Sequence, residues 1–185
     1  MNVLVTGGAG YIGSHTVVEL IKAGHTPIIV DDLSNAKADV VDRIETITGE
    51  RPAFFQLDCK DKEALRKVFS AHSIDAIIHF AAFKAVGESV KKPLQYYRNN
   101  LDSTMSLLEV MEEFGCKKFV FSSSATVYGD PEKLPLDENC KLSTTNPYGS
   151  TKLMMEMIMQ DLYKSDNEWN VILLRYFNPV GAHES

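Results

Sequence analysis

Short apolar runs alternate along the chain with longer segments whose apolar positions recur at helical spacing. Six runs predict β-strands: Val3 to Thr6, Pro27 to Asp31, Ala53 to Leu57, Ala76 to Phe80, Lys118 to Ser122 and Val171 to Tyr176. Five segments predict helices: Ile12 to Ala23, Ala38 to Thr48, Lys62 to Ala71, Asn100 to Phe114 and Tyr148 to Lys164. Because strands that are apolar on both faces alternate with helices, the pattern predicts an α/β protein with a doubly wound, parallel sheet flanked by helices.

A glycine-rich turn follows the first predicted strand and opens the first predicted helix. It reads Gly7-Gly8-Ala9-Gly10-Tyr11-Ile12-Gly13 and satisfies G-x-G-x-x-G from Gly8. Glycines there permit a tight turn and let the backbone approach a pyrophosphate, which then lies against the N–H groups at the start of the helix. An ordinary glycine-rich turn is the alternative, but strand, turn, helix and a later acidic residue stand where dinucleotide binding requires them.

That acidic residue is Asp31, at the end of the second predicted strand. A carboxylate in this place accepts hydrogen bonds from the adenosine ribose hydroxyls and repels a 2′-phosphate, so NAD is favoured over NADP. For the neighbouring Asp32, Ser34 and Asn35, cofactor contact and a plain loop role remain equally open.

The pair Tyr148 and Lys152 lies four residues apart at the start of the last predicted helix, which Pro147 opens. A cation beside the phenol favours the phenolate, so the tyrosine is predicted to exchange a proton with a substrate hydroxyl. The alternative is a chance spacing, which is common on solvated helices. Ser124, beyond the fifth predicted strand, is within reach of the same edge of the sheet. It is either a third catalytic residue or only a cap of the following turn.

Other candidate residues have simpler explanations. His79 lies inside an apolar strand and is predicted to be a hydrogen-bonded core residue. Lys84 either reaches a phosphate or ribose or is solvated, and Asn99 or Asn100 is predicted to cap the helix that begins near Leu101. The helices Asn100 to Phe114 and Tyr148 to Lys164 carry more apolar residues than one core-facing stripe needs. One face is predicted to pack against the sheet, and the remainder to form a homodimer interface. The apolar residues concerned are Leu101, Met105, Leu108, Met154, Met155, Met157 and Met159.

Length and composition narrow the class of protein. The 185 residues, 44% apolar and 24% charged, suit one domain over residues 1–185. A net charge of -6 without basic clusters disfavours nucleic acid, and no apolar run is long enough to cross a bilayer. The three cysteines show no metal-ligand or disulfide spacing, so reduced thiols and no metal site are predicted. The first residues enter a strand without a signal sequence, which makes the cytoplasm the expected location.

Together these motifs resemble the extended short-chain dehydrogenase/reductase family, and within it the epimerases that act on UDP-sugars. The resemblance runs from Met1 to Ser185, and its specific pieces are Val5 to His15, Lys84 to Val90, Phe121 to Gly129, Tyr148 to Lys152 and Leu174 to His183. It implies a Rossmann-like fold and NAD-dependent interconversion of UDP-galactose and UDP-glucose, a step of galactose metabolism. Hydride is removed and returned at sugar C4, with Tyr148 as the base, Lys152 lowering its pKa, and Ser124 assisting.

The same resemblance implies the remaining contacts. Substrate contacts fall to Ser124, Tyr148 and Asn178. Cofactor contacts fall to Gly7, Gly10, Tyr11, Ile12, Gly13, Asp31, Asp32, Leu33, Ser34, Asn35, Ala36, Asp58, Cys59, Phe80, Ala81, Ala82, Phe83, Lys84, Asn99, Ser124, Tyr148, Lys152 and Phe177. The chain departs from the family at Ala82 and Phe83, where glycine and leucine are usual. Because the family's epimerases continue well beyond 185 residues, this chain is expected to be the NAD-binding part of an epimerase, either a piece of a longer protein or a naturally truncated one. Little turnover by the chain itself is expected.

Three other functions share these motifs. A nucleotide-sugar 4,6-dehydratase needs an acidic pair after the serine, where this chain has Ala125 and Thr126, so that function is disfavoured. A nucleotide-sugar reductase uses the same three residues but exchanges its cofactor in every turnover. An NAD-binding module without catalysis is the third alternative, although both Tyr148 and Lys152 are present.

Overall fold

A computed structural model describes residues 1–184 and contains a six-stranded parallel sheet with helices on both faces. The strands are β1 (Asn2–Thr6), β2 (Thr26–Asp31), β3 (Ala53–Gln56), β4 (Ala76–His79), β5 (Lys118–Ser124) and β6 (Asn170–Tyr176). The helices are α1 (Tyr11–Lys22), α2 (Asp39–Thr48), α3 (Lys62–Ala71), α4 (Val86–Lys91), α5 (Pro93–Glu113) and α6 (Pro147–Ser165). A 3-10 helix, Ala125–Tyr128, follows β5 directly. The predicted Rossmann-like fold class is confirmed.

The strand order β3-β2-β1-β4-β5-β6 places a reversal between β1 and β4. From β1 the chain winds outward to β3, returns to the other side of β1, and then winds outward to β6. At such a reversal the flanking loops diverge and leave a crevice at the carboxyl ends of the strands. The order therefore predicts where a ligand binds before any side chain is considered.

Alternation along β1 shows how the two cores are built. Val3 and Val5 face the α1 and α2 side, in a cluster with Val17, Val41 and other apolar residues of those helices. Leu4 faces the opposite side, in a cluster that draws on α3, α5 and α6. Since successive strand residues point to opposite faces, a strand buried on both sides must be apolar throughout, as its sequence is.

Helix α5 begins earlier than its apolar pattern predicts. It starts at Pro93, so the prediction that Asn99 or Asn100 caps this helix is wrong. Asn100 is buried in mid-helix, where its Nδ2 donates to the Phe83 carbonyl and to Thr151 Oγ1, each at 3.0 Å, and its Oδ1 accepts from the Phe83 N–H at 2.8 Å. Such a residue interrupts the apolar stripe in the sequence without interrupting the helix.

The surface of α5 and α6 carries some of the apolar residues predicted to form a dimer interface. Met105, Met154 and Met157 are exposed, whereas Met155 and Met159 are buried in the core. Leu108 is buried as well, so its assignment to the interface is wrong. Among residues 1–184, no helix combines the length and apolarity that a membrane span requires.

Candidate active site

A cleft of about 710 Å³ opens along the carboxyl ends of the strands, at the reversal between β1 and β4. Its walls come from the ends of all six strands, with Leu57 to Cys59 following β3. The glycine turn follows β1, Asp31 ends β2, Phe80 to Lys84 follow β4, Ser124 ends β5, and Tyr176 to Pro179 complete β6 and its continuation. Helix α6 adds Tyr148 and Lys152. Segments far apart in the sequence therefore meet in one depression.

The glycine turn leaves no room for side chains. Gly7 has a φ of 68°, and a Cβ there would lie 2.8 Å from the Ala81 backbone nitrogen. A Cβ on Gly13 would overlap the Gly7 carbonyl oxygen. Gly10 is the N-cap of α1 and provides no side-chain cap. The turn thus presents bare backbone and an uncapped helix start to the cleft, which suits a pyrophosphate.

Asp31 ties the glycine turn to the loop after β2. Its carboxylate is buried and accepts hydrogen bonds from the N–H groups of Ala9 (3.1 Å) and Leu33 (2.9 Å). Burial raises the pKa of this carboxyl group, and the two backbone hydrogen bonds oppose that change. The side chain still lines the cleft, where a carboxylate can accept hydrogen bonds from ribose hydroxyls.

Lys152 is buried at the floor of the cleft beneath Tyr148. Its Nζ donates a 2.6 Å hydrogen bond to the Ser122 carbonyl, and it lies 4.8 Å from the centre of the Phe121 ring and 5.9 Å from that of Tyr148. Burial lowers the pKa of Lys152 to about 7, and the nearby Glu156 opposes this. At neutral pH the charged and the neutral form of this lysine are therefore both populated.

The pKa of Tyr148 departs from the sequence-based expectation. Burial raises the pKa of the phenol, whereas the neighbouring cation was expected to lower it. A hydrogen bond with Ser124 acts in the lowering direction but is the smaller effect. The spacing in the sequence shows the cation but not the extent of burial, so a lowering of the Tyr148 pKa by Lys152 stays a prediction.

Ser124 caps the 3-10 helix and also lines the cleft, while its catalytic role stays a prediction. Its Oγ accepts hydrogen bonds from the Thr126 N–H at 3.2 Å and from Thr126 Oγ1 at 3.0 Å, and so caps the 3-10 helix. The same oxygen lies beside Tyr148. Because Thr126 supplies two donors, the hydroxyl proton of Ser124 is available to an acceptor in the cleft.

The structure gathers the residues that the sequence nominated. Those that line the cleft are Gly7, Gly10, Tyr11, Ile12, Gly13, Asp31, Asp32, Ser34, Asn35, Ala36, Asp58, Cys59, Phe80, Ala81, Ala82, Phe83, Lys84, Asn99, Ser124, Tyr148, Lys152, Phe177 and Asn178. Leu33 is not among the lining residues; it has a φ of 60° and donates its N–H to Asp31. Phe83, where the chain departs from its family's usual leucine, packs with its ring centre 5.5 Å from that of Tyr96.

His79 is the hydrogen-bonded core histidine that the sequence predicted. Its Nδ1 lies 2.6 Å from Thr6 Oγ1, and its Nε2 lies 3.0 Å from Thr104 Oγ1. Burial, reinforced by the charge of Lys152, lowers its pKa to about 3, so the imidazole is neutral at physiological pH. Among residues 1–184, no group of three or more side chains is arranged to hold a metal ion.

Among the residues at or beneath the site that the sequence did not nominate are Glu88, Tyr96 and Glu156. Glu88 and Tyr96 also line the cleft, with the Tyr96 hydroxyl donating to Glu88 at 2.9 Å. Glu156 is completely buried below Lys152 and pairs with Arg175. For Glu156 the spacing was an available signal, since Tyr148, Lys152 and Glu156 follow one another at intervals of four on one helix.

Comparisons with known proteins show the family of the chain. The sequence model of the NAD dependent epimerase/dehydratase family matches residues 3–185. The chain belongs to this family. It is 57% identical over 185 residues to UDP-glucose 4-epimerase of Bacillus subtilis, covering all of this chain and 55% of that protein. It is 58% identical over 183 residues to the UDP-glucose 4-epimerase of Dictyostelium discoideum, covering 99% of this chain and 53% of that protein.

A solved structure of the family has the same fold. UDP-glucose 4-epimerase from Bifidobacterium longum, in complex with NAD+ and UDP, is 50% identical and superposes with a TM-score of 0.98. The match covers 100% of this chain and 55% of that one. The predicted resemblance to UDP-sugar epimerases is thus confirmed. The chain spans about half the length of the family members that it matches.

Proposed function

We propose that residues 1–185 form one NAD-binding domain of an epimerase that interconverts UDP-galactose and UDP-glucose. The observation that carries the proposal is the meeting of Ser124, Tyr148 and Lys152 in a cleft whose other wall is the glycine turn. The 57% identity to a UDP-glucose 4-epimerase supports the choice of substrate. Because the chain spans about half of such relatives, the activity is proposed for the complete protein that contains this sequence.

The residues present fit NAD. The bare backbone of Gly7 to Gly13 would receive the pyrophosphate, the Asp31 carboxylate the adenosine ribose, and Lys152 the nicotinamide ribose. When bound, NAD accepts a hydride from sugar C4 and returns it to the opposite face, so no net oxidation occurs. The protein has to bind the cofactor, exclude water and move one proton.

Tyr148 is proposed to move that proton. As the phenolate it accepts the proton of the sugar 4-hydroxyl while the bond from C4 to hydrogen breaks, and it gives the proton back when that bond is remade. The ammonium of Lys152 stabilises the phenolate, offsetting the burial that raises the pKa of Tyr148. Ser124 donates its free hydroxyl proton to the sugar oxygen, holding it in line with the phenol.

Phe177 is proposed to contact the cofactor, and Asn178 is proposed to contact the sugar. Both line the cleft directly after β6, and Phe177 is largely exposed. A homodimer through α5 and α6 remains a prediction, supported by the exposed Met105, Met154 and Met157. The cytoplasmic location likewise remains a prediction.

An assay without added cofactor tests the proposal. The complete protein, purified without NAD, is expected to carry stoichiometric NAD and to convert UDP-galactose to UDP-glucose unaided. A reductase would instead need added NADH or NADPH and would consume it. Bound NAD without any sugar conversion would favour a cofactor-binding module. Either of these results would contradict the epimerase proposal.

Replacing Asp31 by asparagine is expected to weaken NAD binding and to reduce the preference for NAD over NADP. The amide keeps one acceptor oxygen but loses the charge that attracts ribose hydroxyls and repels a 2′-phosphate, at a cost of about 1.5–3 kcal/mol in charged hydrogen bonding. Calorimetric titration of the cofactor-free chain with NAD and with NADP measures the ratio of the two affinities. Asp39→Asn on the exposed start of α2 is the matched control, and an unchanged ratio in Asp31→Asn would contradict the assignment.

A further inference from the structure

We propose that Glu156 is a positioning residue that keeps Lys152 protonated and holds the Tyr148–Lys152 face of α6 against the strand ends. The inference rests on the proposed function of that pair. Tyr148, Lys152 and Glu156 recur every four residues and therefore share one face of the helix. The side chain of Glu156 is 0% exposed, and a carboxylate in that environment is stable only with strong partners.

The partners of Glu156 belong to the two strands that form the floor of the cleft. Ser123 Oγ on β5 donates to Oε1, while Arg175 on β6 donates through Nε (3.1 Å to Oε1) and Nη2 (2.8 Å to Oε2). Ser123 and Arg175 are direct neighbours in the sheet register. Arg175 also donates a hydrogen bond from Nη1 to the Tyr128 hydroxyl at 3.0 Å. One carboxylate thus joins α6 to β5, β6 and the 3-10 helix.

This junction lies directly next to the catalytic groups. Ser122, one residue before Ser123, provides the carbonyl that binds Lys152 Nζ, and Ser124, one residue after it, lies beside Tyr148. A shift of α6 along the strands would therefore change both contacts at once. Glu156 therefore holds α6 in the position in which Lys152 contacts the Ser122 carbonyl and Tyr148 lies beside Ser124.

The charges around Lys152 give Glu156 a second effect. From β5 the lysine meets the Ser122 carbonyl and the Phe121 ring, and from β4 the neutral His79. Helix α6 itself contributes the Tyr148 phenol and the Glu156 carboxylate, and β6 contributes Arg175 through its pairing with Glu156. Among these groups, the Glu156 carboxylate carries the negative charge.

Loss of that negative charge would favour the neutral lysine. Burial has already lowered the pKa of Lys152 to about 7, and Glu156 acts against this. A neutral lysine cannot stabilise the Tyr148 phenolate, so the carboxylate two turns away from the phenol acts on it through Lys152.

Titration of Lys152 in the complete protein tests the proposal. In protein labelled with ¹³C and ¹⁵N at lysine, the Lys152 signal is identified by its loss in Lys152→Met and followed against pH. Glu156→Gln is expected to lower the pKa of Lys152 by about one unit or more, and to slow epimerisation at neutral pH accordingly. Asp161→Asn makes the same charge change on an exposed side chain of α6 and is expected to leave that pKa unchanged.

A double variant separates charge from folding. Glu156→Gln leaves the Arg175 guanidinium without its partner, whereas Glu156→Gln with Arg175→Met removes both charges and should recover stability. The pKa of Lys152 is expected to stay below the wild-type value in the double variant. A wild-type pKa in either folded variant, or failure of both to fold, would overturn the proposal. The titration needs no substrate, so it decides this question even if the epimerase assay fails.

Discussion

Replacing Tyr148 by phenylalanine is expected to slow epimerisation by the complete protein about 10²- to 10⁴-fold and to leave the bound NAD in place. The change removes the hydroxyl that exchanges a proton with the sugar but keeps the ring that packs in the cleft wall. NAD binding is expected to depend mainly on the glycine turn after β1 and on Asp31 at the end of β2, which lie apart from α6 in the sequence. The loss should therefore appear in kcat and only weakly in KM.

Tyr163→Phe provides the matched control for this experiment. Tyr163 lies on the same helix, its side chain is exposed, and it does not line the cleft. The control is expected to retain wild-type activity and NAD content. The rate of UDP-galactose conversion and the NAD released on denaturation measure both quantities. Wild-type activity in Tyr148→Phe would rule out the proposed proton transfer.

Replacing Gly13 by alanine is expected to weaken the binding of NAD. The added Cβ would overlap the Gly7 carbonyl oxygen and lie 2.8 Å from the Gly8 Cα, and both atoms are backbone that a rotamer change cannot move. The turn must open to admit the methyl group, which costs about 1–3 kcal/mol and displaces the N–H groups that meet the pyrophosphate. Affinity for NAD should fall by up to about a hundredfold.

Gly87→Ala is the control, because a Cβ at Gly87 meets nothing within 4 Å and its φ is not in the left-handed region. It should bind NAD like the wild type. Calorimetric titration of the cofactor-free chains gives the affinities, and thermal unfolding shows whether each variant is folded. Normal NAD affinity in a folded Gly13→Ala would contradict the assignment of the turn to the pyrophosphate.

The accuracy of the sequence-based prediction differs among the helices for a physical reason. The bounds of α3 agree at both ends because Asp61 caps it and its apolar face is regular. Helix α5 was placed seven residues too late at Asn100, because its first two turns are mostly exposed and show no regular apolar face. The short α4 was missed, since its six residues span less than two turns.

The sequence by itself determined those features that depend on the spacing of residues within one strand, turn or helix. Strand and helix periodicity sufficed for the fold class, and the glycines between β1 and α1 sufficed for the candidate dinucleotide site. The interval between Tyr148 and Lys152, taken together with the glycine turn and Ser124, indicated the candidate proton-transfer pair. Each of these follows from the geometry of a few consecutive residues.

Only the tertiary structure decided how the candidate pair is tuned. Packing of α6 on β5 and β6 buries Lys152 and Tyr148, which shifts their pKa values in opposite directions. It also brings Glu156 to Ser123 and Arg175, residues 33 and 19 positions away along the chain. Desolvation and long-range pairing depend on which surfaces meet, and the spacing of residues along one helix does not contain that information.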